Sequence, residues 1–180
     1  MEIFPVSLLI FGLMAAGIAV WAWRLSPETL PRWERLPRDP WLGAMLAAAG
    51  LAWCVPHTRP MLPANLHVYL LPVAALCTWL AYMYLDYLFA RAVGGLMILT
   101  AHFFLASAFA QHTPGRSLFA ITCLAMGTLG IFFCGKPYWL RDLIRRIAGS
   151  SRWRQGAVAV LVGYALLGIA LGTWHLSHRG

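Results

Sequence analysis

The sequence predicts an all-α integral membrane protein: a bundle of about six transmembrane helices, N-out and C-out, with an amphipathic cytoplasmic segment between the fifth and sixth. Three observations predict it. Hydrophobic residues make up 61% of the chain and charged residues 11%, a balance outside the range of soluble domains. The apolar residues gather into six blocks, roughly 4–23, 41–56, 68–89, 92–111, 117–134 and 156–175. The basic residues fall mainly in alternate gaps between those blocks, which is the pattern that fixes orientation in a membrane. Blocks of this kind are helices, because backbone polar groups in lipid must be paired within the segment. Their polarity does not alternate as barrel strands would require. So little chain lies outside them that residues 1–180 read as a single polytopic membrane domain.

The sequence opens Met1-Glu2-Ile3-Phe4-Pro5, which lacks a basic leader region, and Arg24 comes after the first block. An uncleaved, N-out first helix is therefore expected. In the loop that follows, Ser26-Pro27-Glu28-Thr29 can cap a short surface turn. The second block is short against the roughly 20 residues that a span needs, so it is expected to sit partly in the interface or to be drawn across by its neighbours. No polar loop divides the third block from the fourth. A tight hairpin within 86–95 is predicted there, with Gly94 and Gly95 permitting the reversal. Asp86 and Arg91 flank that hairpin and are expected to neutralise each other.

Between the fifth and sixth blocks, Trp139, Leu140, Leu143, Ile144 and Ile147 alternate helically with Arg141, Arg145 and Arg146. That spacing predicts an amphipathic helix on the cytoplasmic leaflet. Trp139, Arg141, Leu143, Ile144, Arg145 and Arg146 are accordingly candidates for a membrane-surface or partner-docking face. In the sixth block, Gly168 and Gly172 stand at GxxxG spacing, a close-packing signal, and are candidates for contact with this bundle or another chain. Trp21, Trp23, Trp41, Trp53, Trp139, Trp153 and Trp174 fall near block ends, the depth an indole prefers.

Arg24, Arg32, Arg35 and Arg38, then Arg91, then Lys136, Arg141, Arg145, Arg146, Arg152 and Arg154 lie on one side; Arg59, Arg116 and Arg179 lie on the other. This bias predicts a bacterial inner-membrane protein with both termini periplasmic. A single crossing through 67–111 would split the basic loops between two sides, so the charge pattern itself supports the hairpin. The net charge of +8 is explained by topology and anionic headgroups, and nucleic acid is not expected as a partner.

His57, His67, His112, His175 and His178 map to the side opposite the basic loops, whereas His102 lies inside a block. An intramembrane imidazole is a functional candidate by default. Small neighbours Gly95, Ala106 and Ala110 predict that its face packs against protein, with Ser107, Thr100, Thr122 or Tyr164 as hydrogen-bond partners. His102, His112, His175 and His67 are the candidate ligands of a haem b or quinone, with His112–His175 or His67–His112 as the pair for a bis-histidine haem. His57 and Cys54, in Cys54-Val55-Pro56-His57, are candidate metal ligands. No Cys-x-x-Cys pair points to thiol exchange. No set of nucleophile, base and carboxylates points to a hydrolase. The residues 86–91 and 135–142 form two distinctive strings with no chemistry attached.

These features predict a non-catalytic integral subunit or scaffold of a larger bacterial inner-membrane complex, with the lipid bilayer and other membrane subunits or a second copy as partners. The alternative is a haem b or quinone-binding electron-transfer subunit. A small oligomeric transporter or channel is a third reading.

Overall fold

A computed structural model describes residues 3–111 and 116–177, and His112, His178 and Arg179 lie outside the described residues. Among these, the chain is helical almost throughout. It runs α1 (Ile3–Trp23), α2 (Leu30–Trp33), α3 (Pro40–Thr58), α4 (Leu70–Tyr84), α5 (Leu88–Ala110), α6 (Arg116–Gly135), α7 (Tyr138–Gly149) and α8 (Ser151–Ser177). Five segments are long and apolar enough to cross a membrane: Phe4–Trp23, Ala64–Tyr84, Leu88–Ala110, Arg116–Gly135 and Ser151–Ser177. The predicted helical membrane protein is thus borne out. The second block forms one continuous 19-residue helix, α3, about 28 Å long at 1.5 Å per residue, yet it is not among the five. Trp41, Trp53, Pro56 and His57 dilute its apolar run.

The chain divides into two compact units. One contains α1, α2 and the segment from Leu143 through α8; the other is Glu34–Asp142. In the first, α1 buries Phe4, Leu8, Ala15, Ala19 and Ala22 along one stripe, the spacing that brings successive helical turns to one face. Its partner is α8, running antiparallel. A Cβ on Gly168 would meet the Leu8 carbonyl oxygen at 2.9 Å, and one on Gly172 would meet Leu9 Cγ at 2.8 Å. At the other end, Arg154 Nη1 donates to the Leu25 carbonyl at 3.1 Å. Gly168 and Gly172 are therefore used within the chain, not offered to a second protein. Hydrophobic association is weak in lipid, so such backbone approach is what joins the two helices.

In the second unit, α5 is the central helix. A Cβ on Gly94 would sit 2.6 Å from the Gly130 carbonyl oxygen of α6, and a Cβ on Gly130 would sit 2.6 Å from the Gly94 oxygen. On α5's other flank, a Cβ on Gly43 of α3 would meet the Phe89 nitrogen at 2.5 Å. Gly43–Phe89 at one end and Trp53–Phe103 at the other make α3 and α5 parallel. Trp41 of α3 meets Tyr82 near the end of α4, so α4 runs opposite to both. The chain does reverse between α4 and α5, but not as expected. Gly94 and Gly95 both lie inside α5, and the turn is Leu85–Tyr87, with Leu85 extended and Tyr87 left-handed at φ 56°. Gly94 serves helix contact instead: it is a point where α6 touches α5.

The predicted amphipathic segment is present as α7, with Ile144, Ile147 and Ala148 buried and Arg145 and Arg146 exposed. The following helix begins at Ser151, earlier than its apolar block at 156, because the polar stretch 151–155 is helical as well.

The glycine contacts predict opposite outcomes for two identical substitutions. Gly130→Ala places a methyl against backbone and destabilises by about 1–3 kcal/mol. Gly95→Ala, with nothing within 4 Å of its Cβ, is neutral or stabilising by up to about 1 kcal/mol through helix propensity. Unfolding in detergent measures both.

Candidate functional site

The histidines have separate settings. His102 projects from the exposed side of α5 together with Ala106 and Ala110, while Ala101, Phe104 and Ala108 form the buried side. Within the Glu34–Asp142 unit, the close contacts of α5 are made not on this side but through Gly94 and its buried alanines. His102 lies eight residues before the end of α5, about 12 Å inside the helix end. Of the suggested hydroxyls in the same unit, Thr100, Ser107 and Thr122, none hydrogen-bonds it. Thr122, for one, donates to the Phe119 carbonyl of its own helix at 2.7 Å, a common way for a threonine to satisfy its hydroxyl in a helix.

The neighbour of His102 is His57, with ring centroids 6.5 Å apart at an interplanar angle of 68°. His57 Nδ1 donates to the Trp53 carbonyl at 3.0 Å. A carbonyl can only accept, so Nδ1 carries a proton, and Nε2 makes no hydrogen bond among the described residues. Parallel packing of α3 and α5 creates this pair, since it brings the end of the shorter α3 level with the interior of α5.

His67 is held differently. Its Nε2–H donates to the carbonyls of Arg59 at 2.9 Å and Leu62 at 3.0 Å, strapping the two short 3-10 turns that link α3 to α4. His175 is 4% exposed and packs edge-on between Phe4 at 5.3 Å and Trp174 at 5.0 Å. His112 lies outside the described residues, and both proposed haem pairs include it. Cys54 is half-buried, with its carbonyl accepting from Thr58 at 3.3 Å. Among the described residues no three His, Cys, Asp or Glu side chains gather as a metal site, so Cys54 and His57 are not joined by a third ligand.

A second constellation lies at the α4–α5 turn, and it unites the two sequence strings. The Tyr87 hydroxyl accepts from Arg38 Nη2 at 2.6 Å and from Arg141 Nη1 at 3.4 Å. The Arg38 guanidinium also lies 5.0 Å from the Tyr87 ring centroid, a cation–π distance. Arg91 does not neutralise the Asp86 carboxylate as expected. Its guanidinium donates to the Asp86 carbonyl at 3.3 Å and to the Cys134 carbonyl at 2.8 Å. The latter is a late carbonyl of α6, a favourable place for a cation. Residues from three separate basic stretches thus meet at one end of the Glu34–Asp142 unit.

The expected docking face is partly engaged within the protein. Trp139 stacks on Phe132 at 5.0 Å with Lys136 5.4 Å from its ring, Arg141 pairs with Asp142 at 3.3 Å, Leu143 is half-buried and Ile144 is buried. Arg145 and Arg146 remain exposed, the latter 5.5 Å from the Trp153 ring centroid. Tyr87 and Arg38 were not singled out by sequence reasoning. The string 86–91 points towards Tyr87, and the basic loop before α3 points towards Arg38.

Comparison with protein-family models, with curated proteins and with solved structures returns no match.

A double-mutant cycle of Tyr87→Phe and Arg38→Ala, read by unfolding in detergent, is expected to give a coupling of about 0.5–1 kcal/mol. That is the size of a charge-assisted bond discounted for an exposed partner. Additive effects would show that the two side chains act separately.

Proposed function

We propose that this protein is a non-catalytic integral subunit of a larger bacterial inner-membrane assembly, and that it docks through the α3–α5 face carrying His57 and His102. The single observation behind this reading is His102 itself. An imidazole facing outward from a span, without a hydrogen bond to the described residues of its own chain, is costly against lipid. A polar group on a neighbouring helix removes that cost. His57, with an uncommitted Nε2 beside it, extends the same polar patch. In this reading α3 is the sixth pass, and both termini are periplasmic. The antiparallel order of α3 to α6 and the meeting of Arg38, Arg91 and Arg141 at one end support that orientation.

A second reading rests on the same pair. Two adjacent imidazoles with unused nitrogens suit hydrogen bonding to a quinone carbonyl or ligation of a haem b. The two readings separate in one preparation.

Purification in mild detergent is expected to yield a stoichiometric partner and no Soret absorbance. His102→Leu, which suits the apolar surface, is expected to release that partner without lowering the unfolding temperature. A monodisperse monomer without partner would contradict the subunit reading, and a Soret band lost in His102→Leu would favour the haem reading.

A further inference from the structure

The α4–α5 turn opens a cleft of about 480 Å³ whose polar lining includes Arg38, Tyr82, Asp86 and Tyr87, with Met83 and Leu85 on its apolar side. Its two charged groups are not paired with each other. Arg38 donates to Tyr87, whereas the exposed Asp86 carboxylate has no hydrogen bond or ion pair among the described residues. The Tyr87 oxygen accepts from two guanidinium groups, which can only donate. Its own proton has no acceptor among the described residues. The cleft therefore offers surplus cationic and hydroxyl donors together with one surplus anionic acceptor.

A purely anionic ligand would place a like charge beside Asp86, and a purely cationic one would place a like charge beside Arg38. A ligand carrying both signs a few atoms apart satisfies both. We propose that this cleft binds a phosphoethanolamine group, with the phosphate taken by Arg38 and the Tyr87 hydroxyl and the ammonium by Asp86. The cleft lies where two apolar spans end and begin, the level of lipid headgroups, and Met83 and Leu85 supply apolar surface beside it. An aminophospholipid is one source of that group, and a soluble phosphoethanolamine is the other. This site is independent of whatever docks at His102.

The test uses the full chain reconstituted in nanodiscs of equimolar phosphatidylethanolamine and phosphatidylglycerol, then extracted and read by native mass spectrometry for retained lipid. The wild type is expected to retain phosphatidylethanolamine over phosphatidylglycerol by about fivefold or more, the effect of one added charge-assisted hydrogen bond. Asp86→Asn brings the ratio near parity, Arg38→Ala loses both lipids, and Arg116→Ala, at the far end of α6, behaves as wild type. Millimolar phosphoethanolamine added at extraction distinguishes the sources: displacement means that the headgroup alone suffices, and retention means that the lipid-borne form is the ligand. Equal retention of the two lipids by the wild type, no retention of either, or undiminished selectivity in Asp86→Asn overturns the proposal. The exposed Asp86 carboxylate makes no hydrogen bond or ion pair among the described residues, so that variant remains informative even if Arg38→Ala misfolds.

Discussion

Between Tyr84 and Leu88 the backbone reverses within three residues, and the order of the Glu34–Asp142 unit depends on that reversal. Leu85 is extended and Tyr87 takes a left-handed conformation, which costs a non-glycine residue about 1–2 kcal/mol. Tyr87 is held there by what its side chain reaches: Arg38 from the stretch before α3 and Arg141 from α7. Because the chain turns at this point, α4 runs against α3 while α5 runs with it. That places His102 beside His57 at one level and gathers the arginines at the opposite end of the unit.

Inside the spans the joining force is of another kind. Apolar side chains gain little by leaving lipid for a neighbouring helix, so contact must come from close backbone approach and dispersion. Gly94 with Gly130 and Gly12 with Gly168 provide it. Helices joined in this way leave most large apolar side chains facing outward, as Leu13, Trp79, Leu118 and Leu166 do. Against such a surface an imidazole stands out, which is why His102 carries more functional weight than the better-packed His175.

The helices were legible in the sequence because length and hydropathy alone determine them in lipid. The amphipathic α7 was legible because its apolar and basic positions follow one helical period. The turn was not. Two adjacent glycines are the ordinary signature of a reversal, but here one of them is required for helix contact, and a tyrosine makes the turn through long-range bonds that no local pattern encodes. The histidines were legible as a group and not as a geometry, since the level at which His57 meets His102 depends on where α3 ends relative to α5. Gly168 and Gly172 marked close packing correctly, but spacing does not name the helix they pack against.

The reversal and the orientation proposed from it are tested most directly by side-specific labelling. Single cysteines are placed at Asn65, Asp86 and Lys136 in a chain whose own Cys54, Cys77, Cys123 and Cys134 are alanine, and intact spheroplasts are treated with a membrane-impermeant maleimide. The account predicts that the Asn65 position labels in intact cells, while the Asp86 and Lys136 positions label only once the membrane is opened. Labelling of the Asp86 and Asn65 positions from the same face would contradict it.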